Sequence, residues 1–374
     1  MLANAKSCAL ALGMGGVLTI DLAAIAANYR RIQAQAPTAK VAAVVKADAY
    51  GLGVEPVSHI LYDVGCRLFF VAHASEALAL RPHLPPAADI FVLNGLLPGA
   101  EAACADADII PVLNAPDQIE RWAAEGVARG RKLPAVLQFD TGMSRLGLSP
   151  AEAGGLDPDD LKARFDVRFL MSHLACADEP ANPANDRQRD IMHDIAVRFG
   201  NIPVSFANSG GAFMGPAYQT SIIRPGIALY GGAPHVGLAN PMAPVVRLDV
   251  AVIQTRSVPA GTQIGYGGTF TATQEMRLAT IAAGYADGLP RGLSNRGAAW
   301  LDGVRLPIVG RVSMDSIIID ISALPADALA PGDLVELIGP HQSIDAIAAD
   351  AGTISYEILT ALGRRYYRDY LRAS

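Results

Sequence analysis

Eight short apolar runs, alternating with stretches of helical composition, constrain this 374-residue chain more than any other feature. They are VAAVV (41–45), LFFVA (68–72), IFVLN (90–94), IIPVL (109–113), AVLQFD (135–140), FLMSHLA (169–175), PVSFAN (203–208) and SIIRPGIALYG (221–231). Runs apolar on both faces and bounded by turn residues are what strands buried in a parallel sheet require. Stretches such as LAAIAANYRRIQAQ, PDQIERWAAEGVARG and NDRQRDIMHDIAVRFG carry helical periodicity. The alternation predicts an α/β chain whose residues 17–240 form a (β/α)8 barrel of the TIM type. An open doubly wound sheet is the rival, but it uses fewer strands, and no GxGxxG follows the first one. From residue 241 to 374 the texture changes to runs such as VVRLDVAVIQTRSV and SMDSIIIDI between glycine turns. That spacing predicts a mainly antiparallel C-terminal β-domain, closed by a helical segment SYEILTALGRRYYRDYLRAS. Residues 1–16 read as a flexible leader, because they lack the charged start and cleavage site of a signal peptide.

Composition narrows the function. A net charge of -6 with scattered arginines gives nucleic acid no basic patch to bind. The 51% hydrophobic content supplies a core, yet no stretch reaches the about 20 apolar residues of a membrane span. The four cysteines show neither metal-ligand spacing nor a disulfide framework. A soluble protein of the reducing cytoplasm is expected.

Barrel sites are built at the carboxyl ends of the strands, and polar residues collect there: Lys46, His73, Asn94, Asn114, Asp140, His173 and Asn208, with Arg224 inside the eighth run. Lys46 stands out among five lysines because it ends a buried run and is followed by Tyr50, Gly51 and Gly53. A lysine in that place is ordinarily a snorkelling surface residue. Desolvated, it becomes an amine of lowered pKa suited to Schiff-base chemistry. The turn ANSGG (207–211) after the seventh run offers backbone N–H groups, and Gly226 and Ile227 after Arg224 offer more. Such a turn is either an ordinary glycine loop or a phosphate site. Together with the amine it suggests pyridoxal phosphate. Taken singly, Tyr266 between glycines reads as a packing aromatic, His173 as a strand-end histidine and Arg224 as a rim ion pair. Cys176, close to the same rim, reads as incidental.

The segments AVVKADAYGLG, FDTGMSRLG, SHLACADE, FANSGG, IRPGIALYG, GYGGTF, GYADGLPR and GRVSMD occur in order across residues 17–370. This series resembles that of the alanine racemases, pyridoxal phosphate enzymes of fold type III. The resemblance implies racemisation of L- and D-alanine by two bases, serving cell-wall synthesis or alanine breakdown. Lys46 matches the cofactor lysine and one base. Tyr266 matches the opposing base, contributed by the partner subunit of a homodimer with shared active sites. Arg224 matches the residue that bonds the pyridine nitrogen. Tyr50, Ser209, Gly226, Ile227 and Tyr356 match the phosphate group, with Asn208 nearby. Arg145 matches the residue facing the phenolic oxygen and the substrate carboxylate, and the partner's Met314 a backbone donor to that carboxylate. His173 matches the histidine between the tyrosine and Arg224, and Tyr285 with Tyr356 the narrow entrance.

Two bases are what racemisation needs, since the proton leaves one face and returns to the other. Lysine and tyrosine titrate near 10 unperturbed, so both must be shifted down. Arginine and a cationic histidine would favour tyrosinate. A guanidinium at the pyridine nitrogen keeps that nitrogen unprotonated, which suits fast reprotonation. A decarboxylase of the same fold type wants an acid there instead. A lone-barrel cofactor-binding protein would lack the domain that carries Tyr266. A cofactor-free barrel hydrolase would need a carboxylate pair, which has no convincing place in the sequence. One departure from the family stands at Gln138, where many members carry a carbamylated lysine that orients the arginine. Glutamine cannot form a carbamate, so activity without bicarbonate dependence is expected, with the Gln138 amide oxygen accepting from Arg145.

Overall fold

The computed structural model describes residues 2–372; Met1 of the expected leader and the last two residues of the expected β-domain lie outside the described residues. Two compact units divide the chain. One comprises the chain up to Ala24, Tyr230–Gly232 and everything from Ala243 onward; the other comprises Ile25–Leu229 and Ala233–Met242.

Strand β1 (Gly16–Asp21) belongs to the first unit, and Asp21 caps the following helix by accepting the Ala24 N–H at 2.8 Å. In the other unit nine strands follow: β2 (Lys40–Val41), β3 (Ala43–Val44), β4 (Leu68–Val71), β5 (Asp89–Val92), β6 (Ile109–Leu113), β7 (Leu133–Gln138), β8 (Phe165–Met171), β9 (Val204–Ser205) and β10 (Ile222–Ile223). Each of the eight apolar runs contributes a strand, though the last is extended only at Ile222–Ile223 before a helical turn at Ile227–Tyr230, and the pairing β2-β10-β9-β8-β7-β6-β5-β4-β3 is parallel throughout. The first run splits at Ala42, so β2 pairs with β10 while β3 pairs with β4. Both ends of the sheet are thus pieces of one strand, and the sheet is a nearly closed barrel as expected. Phe91 packs the interior against Phe70 at 4.7 Å and Phe169 at 5.1 Å between ring centroids, a filled core rather than a pore. The helices turn one stripe inward: Ile119, Trp122 and Gly126 of Pro116–Ala128 are buried at helical spacing.

The first unit continues with β11 (Val246–Val258), β12 (Gln263–Ile264), β13 (Phe270–Thr271), β14 (Met276–Ile281), β15 (Ala298–Leu301), β16 (Val304–Pro307), β17 (Ile317–Asp320), β18 (Leu334–Ile338) and β19 (Tyr367–Leu371). It is mainly antiparallel, as expected, and its main sheet runs β16-β15-β18-β11-β1-β19 with β14 and β17 branching from β11.

Three boundaries differ from the sequence reading. Residue 17 does not begin the barrel: β1 lies antiparallel to β11, with Leu18 opposite Leu248, and parallel to β19. Nor is the leader irregular. Leu2–Ala11 is a helix whose Ala5 and Ala9, one turn apart, pack with Val17, while Lys6 reaches Asp333 at 3.3 Å. The terminal segment is helical only over Ser355–Ala361; beyond Gly363 the aromatic-rich Tyr367–Leu371 is a strand.

Candidate active site

In the barrel unit the chain turns sharply after β3. Ala47, Asp48, Ala49 and Tyr50 all take left-handed backbone, with φ of 53, 55, 54 and 57°, before Gly51 at 82°. Such a conformation costs about 1–2 kcal/mol per residue without glycine, so this turn is held by its surroundings. Its bonds are recorded: Ala49 N–H to Val45 O at 2.9 Å, Gly51 N–H to Ala47 O at 2.7 Å, Val54 N–H to the Asp48 carboxylate at 2.7 Å and Ala47 N–H to the Glu76 carboxylate at 2.6 Å. The turn carries Lys46 half-buried at the strand end and Tyr50 buried. Burial, then the Arg145 cation, hold the Lys46 amine below its ordinary value, against the pull of Glu76.

Arg224 is buried, 3% exposed, and every recorded partner of its side chain is neutral: the Ser205 hydroxyl at 2.6 Å, the Ser172 carbonyl at 2.7 Å and His173 Nδ1 at 3.3 Å. Burial brings the guanidinium down to about 9, which leaves it charged at neutral pH. Burial pushes His173 down to about 3, reinforced by the Arg224, Arg145 and Lys46 cations. The imidazole is therefore neutral and accepts from Arg224. This corrects the expectation of a cationic histidine: burial beside the Arg224 and Arg145 cations leaves the charge with arginine. The supports behind this group carry no signal in the sequence. Gln188 donates to the His173 carbonyl at 2.9 Å and to Thr141 at 3.2 Å, and Thr141 meets Ser172 at 2.7 Å.

Whether this cleft suits a phosphate can be tested on close approach and on open N–H groups. A Cβ on Gly226 would stand 2.2 Å from the Tyr50 hydroxyl, and one on Gly210 would stand 2.3 Å from the Ala177 carbonyl. The Ser209 hydroxyl accepts the N–H groups of Gly226 at 3.0 Å and Ala228 at 3.3 Å. Asn208 caps the short helix Ser209–Phe213 by accepting Gly211 N–H at 3.0 Å. Helix geometry leaves the N–H groups of Ser209 and Gly210 without an intrahelical acceptor, and Ile227 likewise opens a turn. Tyr50, Ser209, Gly226 and Ile227 thus come together around the open N–H groups at Ser209 and Gly210, with Gly226 admitting the Tyr50 hydroxyl to the same spot, and this fits a phosphate. His235, unnoticed in the sequence, braces the turn through Gly210 O at 3.0 Å.

Arg145 is exposed on a loop tied by Asp140, whose carboxylate accepts the N–H groups of Gly142, Met143 and Ser144 at 2.9–3.1 Å. Gln138 is buried and donates to Leu146 O at 3.2 Å. No bond from Arg145 to Gln138 is recorded among the described residues, so the expected direct contact is replaced by support of the loop. Asn114, read as a rim residue, is structural: it donates to Leu93 O and Val112 O, each at 3.0 Å.

The other unit gathers a second set. Tyr266, 71% exposed, sits in the turn Tyr266–Gly268 between β12 and β13, with Gly265 at φ 72° and Gly267 at 70°. Gly265 abuts Gly310 and Arg311, and Gly267 lies against the Arg311 guanidinium. The same loop runs on to Met314, whose carbonyl accepts Ala286 N–H at 3.0 Å while Ser313 O accepts Tyr285 N–H at 3.0 Å. Asp287 holds the Tyr285 turn, accepting Gly284 N–H at 2.9 Å and both Arg365 nitrogens at 2.6 and 2.9 Å. Tyr266, Met314 and Tyr285 are thereby brought into one loop cluster. Tyr356 is the second residue of the helix Ser355–Ala361 in this unit, whereas the other residues expected at the phosphate are in the barrel unit.

Among the described residues no group of histidine, cysteine and acidic side chains is arranged to hold a metal, and no helix is long and apolar enough to cross a membrane. Family models described as alanine racemase, N-terminal domain, and alanine racemase, C-terminal domain, match residues 20–234 and 245–370. A catabolic alanine racemase of Agrobacterium fabrum is 60% identical, covering 96% of this chain and 93% of its own. An alanine racemase of Brucella canis is 53% identical, covering 96% and 94%. The crystal structure of alanine racemase from Bartonella henselae with covalently bound pyridoxal phosphate superposes with a TM-score of 0.92 at 42% identity, covering 96% of this chain and 99% of that one. On all these grounds the chain belongs to the alanine racemase family.

Proposed function

We propose that this chain interconverts L- and D-alanine with pyridoxal phosphate held on Lys46, using Lys46 and Tyr266 as the two bases. Family membership makes it a pyridoxal phosphate-dependent isomerase acting on alanine. The observation that carries the residue assignment is the cluster at the barrel's strand ends: a half-buried lysine, a buried arginine with neutral partners and the Asn208-capped turn with open N–H groups at Ser209 and Gly210. Tyr50, Ser209, Gly226 and Ile227 would hold the phosphate, with Asn208 fixing their turn. Arg224 would donate to the pyridine nitrogen. When bound, the cofactor supplies the electron-withdrawing ring that makes the substrate α-proton acidic.

The protein's own groups do the rest. Lys46, kept toward its neutral form, takes or returns the proton on one face. Tyr266 serves the other face, and Arg145 and the Met314 backbone hold the substrate carboxylate. Neutral His173 accepts from Arg224 and helps hold the guanidinium in place. Because Tyr266 and Met314 are exposed on their own unit, we assign them to the site of a second copy, making the working form a homodimer with shared active sites. Tyr285 and Tyr356 would narrow the entrance. We place the enzyme in the cytoplasm, in keeping with its four free cysteines. A role in alanine breakdown is favoured, since the Agrobacterium fabrum and Rhizobium johnstonii relatives are named catabolic.

Borohydride treatment of the yellow purified protein, followed by peptide mapping, should fix the cofactor on Lys46, and chiral chromatography should show alanine racemised ahead of serine. A colourless protein, or label on another lysine, would overturn the assignment. A deletion strain that loses growth on D-alanine as nitrogen source, without needing D-alanine for its wall, would support the catabolic role.

A further inference from the structure

Glu76 has no part in the assignment above, yet it touches the backbone next to the cofactor lysine. It stands in the first turn of the helix Ala74–Leu80, after β4. One carboxylate oxygen accepts Ala47 N–H at 2.6 Å; the other accepts Ala72 N–H at 2.7 Å and His73 N–H at 3.1 Å. The two His73 and Ala72 bonds serve the ordinary need of a helix start for an acceptor. The Ala47 bond does something else. It crosses from the end of β4 to the first residue beyond Lys46, where four consecutive non-glycine residues hold left-handed backbone.

We propose that Glu76 is the positioning residue of Lys46: its carboxylate pins the Ala47 amide to the end of β4 and thereby fixes the left-handed turn that presents the lysine. The inference rests on Lys46 being the cofactor lysine. Only a side chain with two acceptor oxygens and the reach of glutamate can take three N–H groups from two strand ends. A glutamine offers one oxygen and would set its NH2 against an N–H; an aspartate is one methylene short. The same carboxylate also acts on Lys46 through space. The charged groups acting on the amine are Arg145 from the Gln138–Leu148 loop and Glu76, with the neutral His173 ring after β8 beside them, while the Asp48 carboxylate on the turn itself takes Val54 N–H. Glu76 is the group among them that favours the ammonium, against burial and Arg145.

The test is Glu76→Gln in the full-length chain. With the cofactor removed, acetylation of each lysine is followed by mass spectrometry across pH, with exposed Lys132 and Lys162 as internal references. The Lys46 profile should move to lower pH while the references stay in place, because an anion that favours the ammonium has gone. In the reconstituted enzyme kcat should fall on the order of ten- to a hundredfold, more than KM changes, as misplacement of a reacting group requires. A turn that has merely come apart would expose Lys46 and move its profile the opposite way, toward an ordinary lysine. That result, or an unmoved profile, overturns the proposal. Should Glu76→Gln fail to fold, Glu76→Gln with Ala47→Gly replaces it, since glycine takes the left-handed conformation without a Cβ penalty, and the same shift is read. Borohydride mapping of the wild-type protein separates the two readings: cofactor fixed on Lys46 with an unmoved profile sinks the Glu76 role alone, whereas no cofactor on Lys46 sinks the assignment beneath it.

Discussion

The clusters in the two units are built on opposite physical terms. Around Lys46 and Arg224 the charges are withdrawn from water and each is compensated by neighbours already in place: hydroxyl, carbonyl and imidazole acceptors for Arg224, and backbone N–H groups arrayed around Glu76 and Asp140. Around Tyr266 the side chains stand in solvent, with Tyr266 at 71%, Met314 at 52% and Tyr285 at 45% exposure. One region is preorganised by its own unit at a cost in strain and desolvation. The other is a set of large side chains left out of the core, held in place by glycines and by the Asp287–Arg365 pair. Exposed aromatic and methionine side chains grouped on a rigid loop are what the proposed second copy would cover.

Replacing the principal group on either side gives the largest effects. Lys46→Ala should abolish borohydride-fixed cofactor and lower turnover by a thousandfold or more, on the order expected for loss of a nucleophile and base. Tyr266→Phe should keep the cofactor colour and lose on the order of a hundredfold or more in turnover. Mixing the two variants as dimers should restore activity at one site in each mixed dimer, read by chiral chromatography; no recovery would mean that the exposed cluster serves no second copy.

Glycine substitutions test whether each cluster is as closely packed as it looks. Gly226→Ala puts a methyl where the Tyr50 hydroxyl stands and should weaken cofactor binding on the order of tenfold, measured by titrating the stripped protein. Gly284→Ala sets a Cβ 2.2 Å from the Met314 carbonyl and should cost about 2 kcal/mol in unfolding experiments while leaving cofactor affinity alone.

A pH experiment reaches the charges themselves. His173 sits at about 3 in the folded chain and near 6.5 when unfolded, so between these values the unfolded state binds the extra proton. Stability is therefore lost as pH falls from about 6.5 toward 3, with this group supplying at most about 1.4 kcal/mol per pH unit. His173→Gln keeps an acceptor for Arg224, removes the titration and should flatten that slope in denaturant melts. An unchanged slope would mean the imidazole is not held neutral. The smallest effect belongs to Gln138→Ala, which frees the Leu146 carbonyl and loosens the loop of Arg145. It should raise KM a few-fold and leave kcat nearly unchanged, with no response to bicarbonate in either protein.

Where the sequence reading succeeded, the determining forces were local. Strand ends turn polar because the chain leaves the core there, so Lys46, His173, Asn208 and Arg224 could be placed on one rim from spacing alone. The glycines at 226, 265 and 267 likewise announce close approach or positive φ. The terminal strand was misjudged because SYEILTALGRRYYRDYLRAS carries a helical first half and an aromatic second half that only a partner strand could resolve. Glu76 was missed because a glutamate three residues into a helix looks like an ordinary cap.

By itself the sequence determined the number of barrel strands, their order along the chain and the rim on which chemistry would collect, since hydrophobic period and turn residues act over a few residues. Tertiary structure alone decided that Gly16–Asp21, which falls almost wholly within the 17–240 span assigned to the barrel, pairs with Val246–Val258 and Tyr367–Leu371 instead. It also decided that Ala47 to Tyr50, of which only Asp48 has any leaning to the left-handed region, adopt it in succession. Both outcomes depend on contacts with residues distant in the chain: edge hydrogen bonds that one strand cannot foresee, and a carboxylate from the next βα unit that holds a turn its own residues would not choose.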